Sequence, residues 1–237
     1  MSIEVINVYK SFQKQIVLSN LSVSAFSSEI VGLIGPSGAG KTTLIRLITG
    51  AIKADKGKVT IDGTLVPSMK LFANIGFMPQ SDALYPDLSG IDNLLFFGRL
   101  YGLKGKTLLT RVEFLLKFID LFEDRNKLVF QYSGGMKKRL SLIIALLHDP
   151  SYLILDEPTV GIDPVLRKKI WDYFHELAKI GKTLVISTHV MDEAESCDKC
   201  ALIYKGKLLA FDTVCNLKLK TKSGKIEELF FNQEEVD

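Results

Sequence analysis

The chain has 237 residues, of which 47% are hydrophobic and 24% are charged. This balance supports a large core and excludes disorder over most of the length. The formal net charge of +3 is too small to indicate nucleic acid as a partner, and three cysteines do not make a disulfide framework. The apolar runs, such as residues 142–147, fall far short of the ~20 residues of a membrane-spanning helix. We therefore expect one substantial domain, or two small ones packed together, from a reducing compartment.

The N-terminal part of the chain carries a strand pattern. Residues 3–6 and 21–23 alternate apolar and polar side chains, which predicts short antiparallel strands. Further on, the pair Asp62-Gly63 is typical of a hairpin turn.

The rest of the chain alternates between buried strands and helices. The continuous apolar run Ile30–Ile34 is typical of a strand buried on both faces, and residues 44–48 have helical spacing. From about residue 88 to residue 148 the pattern is helical throughout. Further strand-like runs, each mostly apolar, occupy residues 152–155, 184–187 and 201–204. This alternation predicts an α/β fold with a parallel sheet and right-handed crossovers.

The strongest motif is a phosphate-binding loop between a predicted strand and a predicted helix. Its members are Gly35, Pro36, Ser37, Gly38, Ala39, Gly40, Lys41 and Thr42. The glycines let backbone N–H groups converge on phosphate oxygens, and the helix that follows adds its positive N-terminal dipole. Lys41 is expected to contact the β- and γ-phosphates, Thr42 to ligate Mg²⁺, and Thr43 to reach the α-phosphate.

Two carboxylates follow the apolar run at residues 152–155. In an open α/β sheet the end of that strand lies beside the phosphate loop. Asp156 is expected to hold Mg²⁺ through its water shell, and Glu157 to polarise the attacking water. Together with the loop, these residues predict hydrolysis of a nucleotide.

A third motif supplies a second anion site. Ser133 stands where a helix N-cap belongs, and free N–H groups at such a helix start bind anions. The run Tyr132, Ser133, Gly134, Gly135 and Met136 resembles the signature motif of the ABC (ATP-binding cassette) ATPases, whose usual form is Leu-Ser-Gly-Gly-Gln. Tyr132 and Met136 depart from that form, whereas the Ser-Gly-Gly centre, which carries the phosphate contact in the family, is intact.

Four further segments resemble family motifs in the family's order. Gln80 is similar to the Q-loop glutamine, which meets both Mg²⁺ and the membrane subunit. Residues 160–163 resemble the D-loop that crosses the dimer interface, and His189 resembles the switch histidine that contacts the γ-phosphate. Phe12 stands where the family places an aromatic ring that stacks on adenine, although tyrosine is commoner there.

The resemblance implies a P-loop NTPase fold of the ABC ATPase type over residues 1–215. A RecA-like parallel-sheet core with an antiparallel β part is expected in residues 1–87 and 149–215. The helical subdomain, residues 88–148, is inserted into it. Residues 216–237 are expected to form a solvated, partly helical C-terminal tail.

The resemblance to drug-resistance-type ABC exporters also implies a function. The chain would bind ATP and Mg²⁺, pair head to tail with a second copy, and use Lys41, Glu157 and His189 in hydrolysis. It would energise separate transmembrane permease subunits from the cytoplasmic face of the cell membrane, exporting drugs, lipids or peptides.

One alternative stays open at this point, an ABC ATPase that acts without a membrane partner. A P-loop kinase or a small GTPase would not explain Ser133 and His189 in their motifs. A non-catalytic interaction module is at odds with the presence of Lys41, Asp156 and Glu157.

Overall fold

The computed structural model describes residues 1–81 and 83–231. In these two ranges the chain forms two sheets and eight α-helices, none of them long and apolar enough to cross a membrane. The strands are β1 (Ser2–Phe12), β2 (Gln15–Phe26), β3 (Ile30–Ile34), β4 (Lys56–Ile61), β5 (Thr64–Leu65), β6 (Ile75–Met78), β7 (Tyr152–Asp156), β8 (Thr183–Thr188), β9 (Lys199–Tyr204) and β10 (Lys207–Thr213). The helices are α1 (Lys41–Ile48), α2 (Gly90–Leu100), α3 (Gly105–Phe118), α4 (Gly134–Leu146), α5 (Pro164–Lys179), α6 (Met191–Ala194), α7 (Val214–Leu219) and α8 (Glu228–Phe231).

The larger sheet has its strands in the order β10-β9-β3-β8-β7-β6. All neighbours from β9 to β6 are parallel, and β10 is antiparallel to β9 at one edge. This confirms the parallel sheet predicted from the apolar runs. The pattern did not reveal β6 or β10, because β6 has four residues, one of them Gly76, and β10 contains no buried residue.

Hydrophobic cores lie on both faces of the larger sheet. In β7, Leu153 and Leu155 pack into the core on the helical side. Ile154, between them, packs on the opposite side with α1 and the second sheet. Successive side chains of a strand point to opposite faces, so a strand covered on both sides must be apolar at every position.

The second sheet is antiparallel, with the order β2-β1-β4-β5. Its first two strands have 11 and 12 residues, so the prediction of short strands was wrong. The alternation stops where the strands are irregular: Asn7 and Asn20 have positive φ values of 47° and 52°, and the pairing shifts register there. The strands continue beyond these irregularities. The predicted turn at Asp62-Gly63 does connect β4 to β5.

Helices α2, α3 and α4 lie between β6 and β7, which are adjacent parallel strands. They fall within the helical segment predicted for residues 88–148. The first two pack closely: a Cβ at Gly98 of α2 would lie 2.3 Å from Leu108 Cδ1 of α3. A side chain there would displace the buried Leu108 side chain.

The C-terminal part of the chain differs from the predicted solvated tail. The expected boundary at residue 216 falls inside α7, and the segment is partly helical, as predicted. Leu217, Ile226 and Phe230 are buried in the core on the helical side of the larger sheet. These apolar side chains, spaced among lysines and glutamates, hold residues 214–231 against the domain. Residues 232–237 of the predicted tail lie outside the described residues.

Candidate functional site

The phosphate loop connects β3 to α1, as the sequence predicted. Gly40 has φ of 107°, and a Cβ there would lie 2.7 Å from Leu18 Cδ2, so this position needs glycine. No side chain caps the start of α1, and its first turn contains no acidic residue. Its first N–H groups therefore point at the loop as donors for an anion.

Lys41, the first residue of α1, is buried, with 5% of its surface exposed. Its Nζ donates to the carbonyl oxygens of Gly35, at 2.7 Å, and Pro36, at 3.0 Å. Burial lowers the pKa of the ammonium below its ordinary value of 10.5, while the nearby carboxylates of Glu157 and Asp156 oppose that shift. The loop thus holds a lysine cation close to two acids at the end of β7.

Those two acids have different environments. Asp156 ends β7 almost fully buried, and its Oδ1 accepts a hydrogen bond from Ser187 Oγ of β8. The next residue, Glu157, has φ of 52°, in the left-handed region, and its N–H donates to Ser187 Oγ at 3.0 Å. This turn takes the Glu157 side chain off the strand direction and toward the loop, where it lines a cavity of about 240 Å³ beside Lys41.

A series of side-chain contacts runs along the carboxyl edge of the larger sheet, from α1 to the residue that follows β8. Thr42 Oγ1 lies 3.5 Å from Gln80 Oε1, and Gln80 Nε2 lies 3.5 Å from Glu157 Oε2. His189 Nδ1 lies 2.9 Å from Glu157 Oε1. Because β3, β6, β7 and β8 are parallel, the segments that follow them meet at one edge.

The predicted magnesium ligands also meet. Thr42, Gln80 and Asp156 all line one cavity of about 240 Å³. Their donors are a hydroxyl, an amide oxygen and a carboxylate, and such hard oxygen ligands suit Mg²⁺, which commonly takes one or two carboxylates together with substrate phosphates. The residues present therefore fit the ion.

The predicted second anion site lies at the start of α4. Ser133 Oγ caps the helix by accepting from the N–H of Met136 at 3.2 Å, and the chain beside Gly134 is open. A Cβ at Gly135 would lie 3.4 Å from the carbonyl oxygen of Gly161, in the turn after β7. The helix start thus offers free N–H groups next to residues 160–163, and no residue of it lines the cavity beside Lys41.

The sequence that builds this site matches a known protein-family model. The model, described as "ABC transporter", matches residues 18–160, which include the phosphate loop, the start of α4 and the end of β7. The chain belongs to the ABC transporter family. It is an ATPase of that family, as its motifs predicted.

Curated relatives carry exporter and resistance names. The Nod factor export ATP-binding protein I of Bradyrhizobium diazoefficiens is 41% identical over 213 residues, which cover 89% of this chain and 70% of the relative. The linearmycin resistance ATP-binding protein of Bacillus subtilis is 37% identical over 214 residues, covering 89% and 69%. The resemblance to drug-resistance-type exporter ATPases is thereby confirmed.

Solved structures share the fold. An ATP-binding subunit of an ABC transporter superposes with a TM-score of 0.90 at 26% identity, covering 98% of this chain and 99% of that one. A dimeric bacterial ABC transporter cassette gives 0.82 at 27% identity, covering 89% and 98%. The same cassette bound to ADP and phosphate gives 0.80. The predicted ABC ATPase fold is confirmed.

In this ABC ATPase Phe12, like the α4 start, lies outside the cavity beside Lys41. Phe12 ends β1 with 44% of its surface exposed, and Lys10 Nζ lies 5.3 Å from its ring centroid. It does not line the cavity beside Lys41, where Val17 of β2 does. The adenine-stacking role of Phe12 stays a prediction.

Sequence reasoning missed Val17 and Ser187. Ser187 could have been suspected, because it follows an apolar run in the same way that Asp156 does, and the two are register partners. Val17 left no such signal, since its place depends on how the second sheet packs against the loop.

Proposed function

We propose that this ABC-family chain is the ATPase subunit of an exporter, and that two copies bind two ATP molecules between them in a head-to-tail dimer. The observation that carries the proposal is the Glu157 carboxylate, which lies between Gln80 and His189 beside the buried Lys41 ammonium. A base, a cation and polar positioning groups at one edge are what phosphoryl transfer to water requires.

In this proposal the phosphate loop binds and Glu157 activates the water. Loop N–H groups and Lys41 hold the β- and γ-phosphates, and Glu157 takes a proton from water as the water oxygen attacks the γ-phosphorus. The bond from the γ-phosphorus to the bridging oxygen breaks, and ADP leaves with that oxygen. An ionised carboxylate only accepts hydrogen bonds, so its contact with His189 keeps the proton on Nδ1 and orients the ring. Mg²⁺ held by Thr42, Gln80 and Asp156 would neutralise phosphate charge.

The second copy follows from the separation of the two anion sites. Ser133 and Gly135 are not in the cavity beside Lys41, so they are proposed to meet the γ-phosphate that the other copy holds. The solved cassette that superposes on this chain is a dimer, which supports the arrangement. Gly135 also lies near the Gly161 carbonyl, in the turn that follows β7 and Glu157. This proximity would connect the hydrolytic site of each chain to the α4 start that the same chain offers its partner.

A membrane partner is proposed to dock on an apolar cavity of about 350 Å³ next to Gln80. Its walls come from segments on either side of the Gln80 loop, including a short 3₁₀ helix at Met69–Asn74. The lining residues include Phe72, Ile75, Phe77, Pro79, Leu84, Phe97 and Tyr101. Exposed Tyr85 and Phe96 stack edge to face with ring centroids 4.9 Å apart, and both rings contact Phe97 of this lining. An apolar groove with exposed aromatic rings packed against its lining suits an amphipathic helix of a permease.

This surface supports a transporter subunit rather than an ABC ATPase that acts without a membrane partner, and we propose that the chain works at the cytoplasmic face of the cell membrane. Export is proposed as the direction because the curated relatives include proteins named for export.

The hydrolytic part is tested by Lys41→Ala in the full chain. The substitution removes a cation from a phosphate-dense site, so tight ATP binding and phosphate release should both be lost while the circular dichroism spectrum stays unchanged. Lys168→Ala is the control, because Lys168 is exposed on α5 and pairs with Asp172. Unchanged turnover of Lys41→Ala at low ATP concentration would overturn the assignment.

Membrane fractionation of the native host tests the docking surface. Phe72→Asp should release the chain from the membrane fraction, whereas Phe26→Asp, which is similarly exposed on the second sheet, should not. If the wild-type chain itself is absent from the membrane fraction, the result would support an ABC ATPase that acts without a membrane partner.

A further inference from the structure

Glu193 is a buried carboxylate that none of the phosphate-site motifs includes. It lies in the short helix α6, four residues after His189, with 4% of its surface exposed. Burying a carboxylate is costly unless its oxygens accept hydrogen bonds, so its partners should reveal its role.

Both carboxylate oxygens accept from threonines that flank the hydrolytic residues. Glu193 Oε1 accepts from Thr159 Oγ1 at 2.6 Å, and Oε2 accepts from Thr188 Oγ1 at 2.6 Å. Both threonines are fully buried. Thr159 stands two residues after Glu157, and Thr188 immediately precedes His189.

We propose that Glu193 is a positioning residue that sets the spacing between Glu157 and His189. One buried carboxylate connects the turn after β7, through Thr159, to the last residue of β8, Thr188. Glu157 has a positive φ, a conformation that persists only where the surroundings determine it. The Thr159 contact is one such constraint, and the Thr188 contact fixes the end of β8, which leads into His189, relative to it.

The chemistry of the contact calls for a carboxylate. Thr188 Oγ1 already accepts from the N–H of Val190 at 3.0 Å, so its own hydrogen is directed at Glu193. Thr159 likewise donates, and an ionised carboxylate accepts both hydrogens. A glutamine would turn its NH₂ group toward one threonine and leave one buried hydroxyl hydrogen unpaired, and an aspartate is one methylene shorter.

The opposing interpretation is that Glu193 only adds stability. The chain offers a matched control at the other end of β8, where Thr183 is also fully buried and donates from Oγ1 to the carbonyl of Phe26 at 3.1 Å. Thr183→Val removes the hydrogen bond of a buried threonine in β8, the strand of Thr188, without touching Glu157 or His189.

The experiment measures steady-state ATP hydrolysis by the full chain, and it rests on the proposed function. Glu193→Gln, Thr159→Val and Thr188→Val should each lower kcat by about 10- to 100-fold, because a small displacement of a reacting group has that effect. KM for ATP should change by less than about threefold, since no phosphate-binding residue is altered. Thr188→Ser keeps the hydroxyl and should restore kcat.

Thr183→Val should lower the unfolding midpoint in the same way as these variants yet leave kcat unchanged. The proposal is wrong if Glu193→Gln, Thr159→Val and Thr188→Val lower kcat no further than Thr183→Val does. It is also wrong if their KM for ATP rises by the same factor by which kcat falls. Should Glu193→Gln fail to fold, the two threonine variants decide the matter by the same criterion. A wild-type chain without ATP hydrolysis would instead contradict the proposed function.

A spectroscopic measurement adds a readout at the site itself. The chain has three histidines, so their ring resonances can be assigned by substitution. In Thr159→Val and Thr188→Val the His189 resonances should move, whereas those of His148, which stacks on Tyr101, should stay in place. Unmoved His189 resonances would overturn the proposal.

Discussion

His189 Nδ1 and Glu157 Oε1 lie 2.9 Å apart, although 32 positions separate the two residues in the chain. The contact joins the segments that follow two neighbouring parallel strands, β7 and β8. It pairs the carboxylate proposed to activate water with the imidazole proposed to meet the γ-phosphate. The most direct prediction therefore concerns Glu157, one member of this pair.

Glu157→Gln should separate ATP binding from hydrolysis. The amide is similar in size but does not take a proton from water, and general-base assistance is worth about 10²–10⁴ in rate. Phosphate release should fall by at least that order while ATP affinity is retained. The variant should then elute as an ATP-bound dimer in size-exclusion chromatography with MgATP. Glu176→Gln, at an exposed position of α5, serves as the control, and wild-type turnover in Glu157→Gln would refute the role of Glu157.

Ser133→Arg should leave ATP binding to the monomer intact and abolish hydrolysis. The added side chain would occupy the open face at the start of α4, where the other copy's γ-phosphate is proposed to lie. The control is Ser89→Ala, which removes an equivalent N-cap from α2 and should cost about 1 kcal/mol of stability without affecting hydrolysis. ATP binding to each variant can be measured by the fluorescence of a labelled nucleotide. If Ser133→Arg lost binding as completely as Lys41→Ala does, the two-copy site would be contradicted.

Gly90→Ala should destabilise the chain through Tyr132. A Cβ at residue 90 would lie 2.2 Å from Tyr132 Oη, which donates to the carbonyl of Asp124 at 2.9 Å. Tyr132 is buried, so the ring has little room to move, and overpacking of this kind costs about 1–3 kcal/mol. Urea denaturation would measure the loss.

The same clash predicts a coupling between the two positions. In a Tyr132→Leu background, which has the usual family residue, Gly90→Ala should cost less, because the hydroxyl that it meets is gone. Equal costs in both backgrounds would show that Tyr132 is not what requires glycine at residue 90.

The lowered pKa of Asp55 predicts that the stability of the folded chain decreases at acid pH. Hydrogen bonds from Lys10 and then from the side chain and N–H of Ser11 lower the pKa of its carboxyl from 3.8 to about 2. A lowered folded-state pKa means that the stabilisation is complete above the unfolded value and is lost as the pH falls toward 2. Asp55→Asn should therefore flatten the decrease in thermal midpoint between about pH 4 and pH 2.

Lys10→Met should have part of the same effect, because it removes the first donor to Asp55 and leaves the two from Ser11. If the acid-side slope is the same in wild type and Asp55→Asn, another carboxylate accounts for it. The measurement also bears on Phe12, since Lys10 and Ser11 immediately precede it in β1 and both bind Asp55.

The sequence by itself determined the features that depend on neighbours in the chain. The conformation of Gly40, the cap at Ser133 and the buried run before Asp156 each follow from a few consecutive residues. Backbone freedom, cap chemistry and apolar periodicity act over that distance. This is why the parallel sheet, the helical segment and the site at the carboxyl edge could be predicted, together with most of the residues in the site.

Only the tertiary structure decided which distant side chains meet. Strand register pairs Asp156 with Ser187, and packing of the second sheet places Val17 beside the phosphate loop. Burial of Phe230 turns a charged, tail-like segment into part of the core. The two hydrogen bonds of Glu193 span 34 and 5 positions, and they exist because adjacent parallel strands end at the same level. No local pattern encodes such contacts, since they arise from the way whole elements align.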